Sequence, residues 1–554
     1  MNADTAQPQS IAQLVLDQQA NDATAILFED QSISYKQYVA ACGQFANLLL
    51  ERAGDGPLHI GVLLDNVPDY LTVLGGAALV GAAVVGLNPT RRGAELERDI
   101  RHSDCQFLIT EDRHLSELEG LDIGVEQSRQ FNIDQAHWQE TLTAQKDKPI
   151  PVLEINPADP YLLIFTSGTT GNPKAALCSQ ARLAGIAAVF PEMNGISDQD
   201  IAYLAMPLFH SNSLMANWSP MLAVGATIAL RRKFSASGFL PDVRRYGCTY
   251  MNYVGKPLTY ILATPEQADD TDNTMVLAFG NEAVVHDIQR FEKRFACAVR
   301  DNYGSTEGGI NIMRTPETPK DALGIGQPGT VVLNQETQQP CAIAEFDQHG
   351  RLSNADQAVG EIANIQSAQL FEGYWRNEDA NSERTQGGIF WSGDLGYIDK
   401  QGFLYFGGRN YDWLRVDGEN FAAAPIENIL TRHSGIGISA VYAVPNSDGG
   451  DDVMATLLLS PGAEFTSLDV QAFLSCQSDL GTKSVPKYFR VTQAMPTTAS
   501  NKVVKRQLRA EAWECADPVW IRQKDGSYQL LDDAERQTIR ALFESRGRAA
   551  LLDF

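Results

Sequence analysis

Between Ile164 and Leu177 the chain reads IFTSGTTGNPKAAL: three threonines and a serine interleaved with two glycines, then a proline and Lys174. Glycine lets backbone N–H groups close on phosphate oxygens, hydroxyls donate further, and the lysine adds a point charge. An apolar run from Tyr161 to Phe165 leads in. The loop is therefore expected at the carboxyl end of a buried strand, where the ligands of α/β sheets bind. It is not a Walker A site, whose GxxxxGK is followed by Ser or Thr. Here two residues separate Gly168 from Gly171, and Ala175 follows Lys174.

Four later stretches hold further chemistry-bearing residues. RDNYGSTEGG offers a flat ring at Tyr303, a hydroxyl at Thr306 and, at Glu307, a hard oxygen ligand suited to Mg²⁺. WSGDLGYID places Asp394 just after an expected strand, where a carboxylate can accept both hydroxyls of a ribose. GGRNYDWLRVDGEN sets Arg409 beside two glycines that read as a hinge, Gly407 and Gly408. MPTTASNKVVKRQLR carries Lys502 after a polar turn. Taken singly, Glu307 also reads as a capping residue, Asp394 as a turn residue, and Arg409 and Lys502 as solvated charges.

The elements that must position these residues follow from pattern and composition. A chain of 554 residues is too long for one core, so at least two domains are expected. A net charge of -25 disfavours nucleic acid or an anionic membrane as the main partner. Eight scattered cysteines form no zinc-spaced cluster and read as reduced thiols of a cytoplasmic protein. No signal-peptide pattern is visible in the polar opening residues, read as disordered through residue 10. The uncharged run from Tyr70, YLTVLGGAALVGAAVVGLNPT, is interrupted by four glycines. It reads as a buried helix followed by a buried parallel strand rather than as an integral membrane segment.

From Ile11 to about Tyr405 short apolar runs alternate with amphipathic segments, the α/β signature. LGYIDKQGFLYFGG reads as a hairpin, with Tyr397 and Ile398 facing Phe403 to Phe406 across a turn at Asp399 to Gly402. A smaller α/β segment ends near Arg509. The tail from Asp517 adds a short strand, VWIRQ, and a helix that starts at Asp532 and Glu535 and carries Ile539, Leu542 and Phe543 on one face.

In this order and spacing, TSGTTGNPK, NYGSTEG, SGD, GR and the late lysine resemble the adenylate-forming superfamily of acyl-CoA synthetases, carrier-loading adenylation domains and luciferase. The resemblance covers nearly the whole chain. A nearer likeness, to fatty-acid-transport-type, very-long-chain and bacterial steroid-acid CoA ligases, rests on KFSASGFLPDVRRYGCTYMNYVGKPLTYIL, FGNEA, RVDGENFAAAPIE and the tail.

The resemblance implies an α/β fold with a large N-terminal domain, residues 11–408, of stacked α/β subdomains plus a small β-barrel. A smaller mobile α+β lid, residues 409–554, would follow. It implies ATP-dependent activation of a carboxylic acid as an acyl-adenylate and transfer of the acyl group to CoA, with Mg²⁺ as the metal. Thr166, Ser167, Gly168, Thr169, Thr170 and Lys174 would hold phosphates. Thr306 would touch the α-phosphate, and Glu307 would hold the metal. Tyr303 would stack on adenine with Gly280, Asn281 and Glu282 along its edge, Asn302 and Gly304 would belong to the ATP site, and Asp394, backed by Arg409, would take the ribose hydroxyls. Lys502 would bridge the carboxylate and the α-phosphate, and Gly418 and Glu419 would meet CoA. Ala175 and Asn501 stand where the family commonly has glycine, and Tyr411 where it has a hinge Asp or Lys, which leaves Asp412 a hinge candidate.

MPLFHSNSLMANWSPM and YVGKPLTYIL gather Met206, Phe209, Leu214, Met215, Trp218, Met221, Tyr253, Val254, Leu258 and Ile261. Such stripes read as core or as pocket wall. The resemblance sets the acyl channel between these two segments. It makes Phe209, His210, Leu214, Tyr253, Val254 and Gly308 acyl-site residues, with His210 at the carboxylate end, where a helix-start role is the alternative. The first segment holds no Lys or Arg, which favours a large apolar monocarboxylate, fatty or steroid. Loading of a carrier protein and a non-catalytic binding role are the rivals, and a homodimer is left open.

Overall fold

The computed structural model of the chain describes residues 10–166, 173–283, 285–348, 352–409, 413–416, 419–447, 451–477, 479–498, 503–546 and 548–552. Two mostly parallel sheets share one hydrophobic core. The first runs in the order Gln130–Asn132, Cys105–Thr110, His59–Leu63, Ala83–Gly86, Pro160–Thr166, Lys174–Ser179; only its last pair is antiparallel. The second runs Ala298–Asp301, Leu277–Asn281, Tyr250–Val254, Ile201–Leu204, Thr227–Leu230, Thr24–Phe28, Gln31–Ser34. His59–Leu63, Ala83–Gly86 and Tyr250–Val254 are buried at every position. Helices cover both faces of such sheets, so their strands read as unbroken apolar runs.

The run from Tyr70 is the expected helix and strand. Helix Pro68–Leu79 starts with proline at its first turn and is followed by Ala83–Gly86. Among the described residues no helix is long and apolar enough to cross a membrane. The glycines in the run have a packing reason. A Cβ at Gly76 would sit 2.7 Å from the Cys42 carbonyl, and one at Gly75 would strike the Cys42 sulfur. Their absence lets this helix lie against Tyr35–Arg52, which is capped by a reciprocal Ser34–Gln37 pair.

Where the two sheets meet, Asp65, Glu111 and His114 are buried together with a geometry that could suit a metal. Their oxygens are already engaged. Arg113 lies 2.8 Å from Asp65, Arg232 lies 2.7 Å from Glu111, and Lys233 lies 3.4 Å from Asp65. The group is an ion-pair network that ties the ends of the two sheets.

Two small antiparallel sheets follow: Tyr303–Gly304, Asn311–Met313, Ile325–Gly326, and Thr330–Leu333, Gly360–Asn364, Phe390–Ile398, Leu404–Arg409. A Gly324–Leu404 bridge joins them into one barrel-like unit. The expected hairpin is present, with Tyr397 opposite Tyr405 and Ile398 opposite Leu404. Two expectations change here. Asp394 lies within strand Phe390–Ile398, not after it. Gly407 and Gly408 are not a free hinge, because the ladder continues past them to pair Asp394 with Arg409.

The C-terminal part is a five-stranded sheet, ordered Ile436–Pro445, Asp451–Leu459, Tyr488–Val491, Val519–Arg522, Tyr528–Leu530, plus the pair Trp413–Val416 and Glu419–Ala422. At the other end of the chain Ser10 is ordered, accepting from the Gln13 amide as the cap of helix Ile11–Asp17. The tail supplies two strands, Val519–Arg522 and the edge strand Tyr528–Leu530, one more than its sequence suggests, and helix Asp533–Ser545 capped by Asp532. Ile539 and Phe543 pack with Tyr488 and Trp513, whose rings stack at 5.0 Å. Leu542 points outward instead, 42% exposed.

Deleting the chain from Asp517 would expose Trp513 and Tyr488, and Phe543→Ala alone removes a side chain whose loss costs about 3–5 kcal/mol. Calorimetry should show a lower unfolding temperature in both variants, with adenylate formation per folded molecule retained. An equally stable but inactive truncation would give the tail a part in the chemistry.

Candidate active site

The carboxyl ends of the two sheets, the barrel-like unit and the C-terminal part enclose one cavity of about 2560 Å³. Into it come Thr166 and Lys174 from the loop hairpin, Phe209 and His210, Val254, and Asn281 and Glu282. From the turn between the second sheet and the barrel come Asn302, Tyr303, Gly304, Thr306, Glu307 and Gly308, and from the barrel Asp394. Ser167, Gly168, Thr169, Thr170, Tyr411, Asp412, Gly418 and Lys502 lie outside the described residues, and Arg409 and Glu419 are described by backbone only. Thr498 and Val503, which flank the Lys502 segment, are on the cavity wall.

Strand Pro160–Thr166 buries Tyr161 to Ile164 and delivers Thr166 to the rim, where its hydroxyl donates to the Lys174 carbonyl at 3.4 Å. The return strand receives a further pairing from Gly373 to Trp375, through Leu177 N–H to Gly373 O and Trp375 N–H to Ala175 O. That pairing sets Tyr374 against the return strand beside Lys174. The Lys174 ammonium lies 5.4 Å from the centre of its ring and 3.8 Å from Glu383. The Tyr374 hydroxyl donates to Glu307 Oε1 at 2.9 Å and accepts from Arg384 Nε at 3.0 Å.

Thr306 is held from two sides. Its hydroxyl shares a hydrogen bond with Ser211 at 2.9 Å, and its carbonyl accepts from Arg182 Nη2 at 2.7 Å. The same guanidinium lies against Gly308, whose φ of +79° needs glycine and whose missing Cβ leaves the room. Tyr303 donates to Asp394 Oδ2 at 2.6 Å, so the flat ring and the carboxylate form one unit. Glu282 takes a left-handed conformation, φ 67°, at the edge expected for adenine. For a residue with a Cβ this is strained backbone of the kind stored at binding sites.

Beneath this edge runs a ladder of asparagines. Asn217 donates to Asn252 at 2.8 Å, Asn252 to Asn212 at 2.7 Å, Asn212 to Asn281 at 3.4 Å, and Asn281 to the Asn302 carbonyl at 2.6 Å. His210 is the cap of the turn that begins this region, its Nδ1 accepting from the Asn212 amide at 3.5 Å. The turn then widens into a π-helical stretch, Leu214–Trp218.

Three expected site residues do not reach the cavity wall. Gly280 lies one layer below, where any Cβ would strike Tyr253. Tyr253 points to the opposite face from Val254, as strand alternation requires, and its hydroxyl donates to Asp301 at 2.8 Å. Leu214 is turned into the main core while Met215 and Ala216 take the wall. Of the remaining stripe, Met206, Trp218, Met221, Leu258 and Ile261 are core. Ile186 and Phe190, on helix Gln180–Asn194, and Phe279 complete the apolar wall. No motif spacing announces these three residues, nor Arg182, Ser211, Tyr374 or Arg384.

Asp301 accepts from Tyr253 and from the Ala283 amide at 2.9 Å. Burial raises its carboxyl to about 7, well above the unfolded value. A raised carboxyl makes stability fall as pH climbs from about 4 to about 7, since the unfolded chain sheds the proton first. Asp301→Asn should therefore melt above the parent at pH 8, with a margin that shrinks toward pH 5. A margin independent of pH in thermal scans would show that Asp301 does not titrate in this range.

The profile of the AMP-binding enzyme family matches residues 15–375, and that of the AMP-binding enzyme C-terminal domain matches residues 425–502. The chain is 44% identical over 550 residues to the steroid-22-oyl-CoA synthetase of Rhodococcus jostii (strain RHA1), covering 98% of this chain and 99% of the relative. It is 44% identical over 521 residues to the medium/long-chain-fatty-acid–CoA ligase FadD17 of Mycobacterium marinum, covering 94% and 99%. Among solved structures, the anthranilate CoA ligase AuaEII in complex with anthranoyl-AMP matches with a TM-score of 0.81 at 19% identity, over 92% of this chain and 99% of that one. ATP-bound MatB from Rhodopseudomonas palustris matches at 0.77 and 22% identity, over 90% and 98%. These two likenesses are of fold.

Proposed function

Because the chain belongs to the AMP-binding enzyme family, we propose that it is an ATP-dependent, AMP-forming acyl-CoA ligase for large apolar carboxylic acids, fatty or steroid side-chain, acting in the cytoplasm. One observation carries the reading. One cavity is lined both by a polar set, Lys174, Thr306, Glu307 and the Tyr303–Asp394 pair, and by an apolar set, Phe209, Met215, Val254, Ile186, Phe190 and Phe279. An ionised head and an apolar body need such a division.

A carboxylate is already ionised at neutral pH, so the first step requires no general base. Its oxygen attacks the α-phosphorus in line, and the bond to pyrophosphate breaks with its electron pair leaving on the pyrophosphate oxygen. Positioning and charge neutralisation then make up most of the catalysis. Thr166, the loop residues 167–170 and Lys174 hold the outer phosphates. Thr306, fixed through Ser211 and Arg182, presents its hydroxyl to the α-phosphate. Tyr303 lies against adenine, with Asn281, Glu282, Asn302 and Gly304 at its edge. Asp394, with Arg409, accepts the ribose hydroxyls. His210 and Gly308 border the acid's carboxylate. Lys502 spans the carboxylate and the α-phosphate. In the second step the CoA sulfur attacks the acyl carbon, its thiol proton passing to solvent, the acyl carbon–phosphate oxygen bond breaks with its electron pair leaving on AMP, and Gly418 and Glu419 line the thiol's approach.

The donor set also fits Mg²⁺. Glu307 is buried, its Oε1 is taken by Tyr374, and Oε2 has no hydrogen bond among the described residues in a cavity-lining side chain. When bound there, the ion supplies positive charge against the phosphates.

Two measurements test the reading. With ATP and CoA, kcat/KM should climb by roughly fourfold per added methylene until the channel is filled, from about 0.8 kcal/mol for each buried methylene. Acyl-CoA detected by mass distinguishes CoA from a carrier protein as acceptor, and a preference for acetate over all longer acids would refute the channel. Lys502→Ala should slow adenylate formation by about 10²–10³, the cost of one preorganised donor. The same variant, given presynthesised acyl-adenylate and CoA, should form thioester near the parental rate. Equal losses in both steps would make Lys502 a structural residue.

A further inference from the structure

Tyr374 touches both halves of the phosphate-facing site. Its ring lies beneath the Lys174 ammonium at 5.4 Å, and its hydroxyl donates to Glu307 Oε1 at 2.9 Å. The residue is fixed on every other side. Its backbone is bridged to Ala176 of the return strand, and its amide donates to Asn381 Oδ1 at 2.6 Å. Its hydroxyl accepts from Arg384 Nε at 3.0 Å, while Arg384 Nη1 donates to the Trp391 carbonyl at 2.8 Å. The ring is only 2% exposed and stands edge-on to Phe371 at 5.0 Å.

These contacts leave the ring no freedom to move without moving both partners. From this geometry we propose that Tyr374 is a positioning residue that couples the loop lysine to the metal-ligand carboxylate. The hydroxyl holds Oε1 of Glu307 and so aims Oε2 at the ion, while the ring face sets the height of the lysine over the outer phosphates. Arg384, itself anchored on a barrel strand, keeps the hydroxyl's lone pair engaged so that its proton is directed at Glu307. The proposal rests on the reading of Glu307 as the Mg²⁺ ligand.

Two substitutions separate the two contacts. Tyr374→Phe keeps the ring and removes the hydroxyl; Tyr374→Leu removes both. Mn²⁺ binding to the full chain with a non-hydrolysable ATP analogue, read by electron paramagnetic resonance, should weaken roughly tenfold in Tyr374→Phe, as for one lost hydrogen bond to a charged group. The Mg²⁺ concentration for half-maximal ATP–pyrophosphate exchange should rise in step, with kcat restored at high Mg²⁺ and the KM for the acid unchanged. Tyr374→Leu should raise the KM for ATP as well. A merely structural tyrosine would lower the melting temperature without this rescue by Mg²⁺. Arg384→Lys, which keeps the charge but loses the Nε donor, gives a second readout that should shift Mn²⁺ affinity in the same direction. Parental Mn²⁺ affinity in both Tyr374→Phe and Arg384→Lys, with Glu307→Gln losing it, would overturn the coupling and leave the metal reading intact. Parental affinity in Glu307→Gln would overturn the metal reading, and the coupling with it.

Discussion

The hydrogen bond from Tyr303 to Asp394 joins residues 91 positions apart. One stands where the second parallel sheet gives way to the barrel-like unit, the other within a barrel strand. The flat ring and the carboxylate form one unit only if these two elements are held at hydrogen-bond distance. The barrel bridge from Gly324 to Leu404 and the pairing of Asp394 with Arg409 keep the strand in register for that contact. The large sheets, in turn, bring Thr166, Lys174 and Asn281 to the wall of the same cavity. Each layer of packing therefore has its local consequence in the width of one cavity.

The asparagine ladder is the second constraint. Amides are costly to bury unless each finds a partner, and a chain of them polarises and stiffens itself. Asn217, Asn252, Asn212, Asn281 and Asn302 lead from within the π-helical stretch to the cavity edge at Asn302. The wall at Met215 and the Asn281–Asn302 edge thus share one polar support.

The general architecture was legible because its signals are local. The Tyr–Gly–Ser–Thr–Glu turn, the hairpin and the Tyr70 run each state their structure within a few residues, and Tyr303, Thr306 and Glu307 of that turn line the cavity; the hydroxyl–glycine loop lies outside the described residues. What failed was parity and phase. Tyr253 and Val254 are adjacent apolar residues, and only the pleat decides that Val254 faces the cavity while Tyr253 meets Asp301. Leu214 and Met215 exchange places because a π-helical turn shifts the phase of the stripe. Ile186, Phe190 and Phe279 could be placed on the wall only by tertiary packing. Arg182, Tyr374 and Arg384 are ordinary residues of a helix and a surface-like segment until the fold closes around them. The two glycines read as a hinge lacked one fact, the ladder that pairs Gly408 with Leu395 and runs on to Arg409.

That ladder changes what can turn. Strand Leu404–Arg409 stays bonded to its neighbour as far as Arg409, so any pivot of the C-terminal part lies beyond this residue. Arg409 then stands on the barrel side of any such pivot. With Asp394 and Arg409 taking the ribose hydroxyls, as proposed, both contacts would stand on the barrel side of that pivot and stay paired while the C-terminal part turns. The machine would swap tools while the workpiece stays clamped.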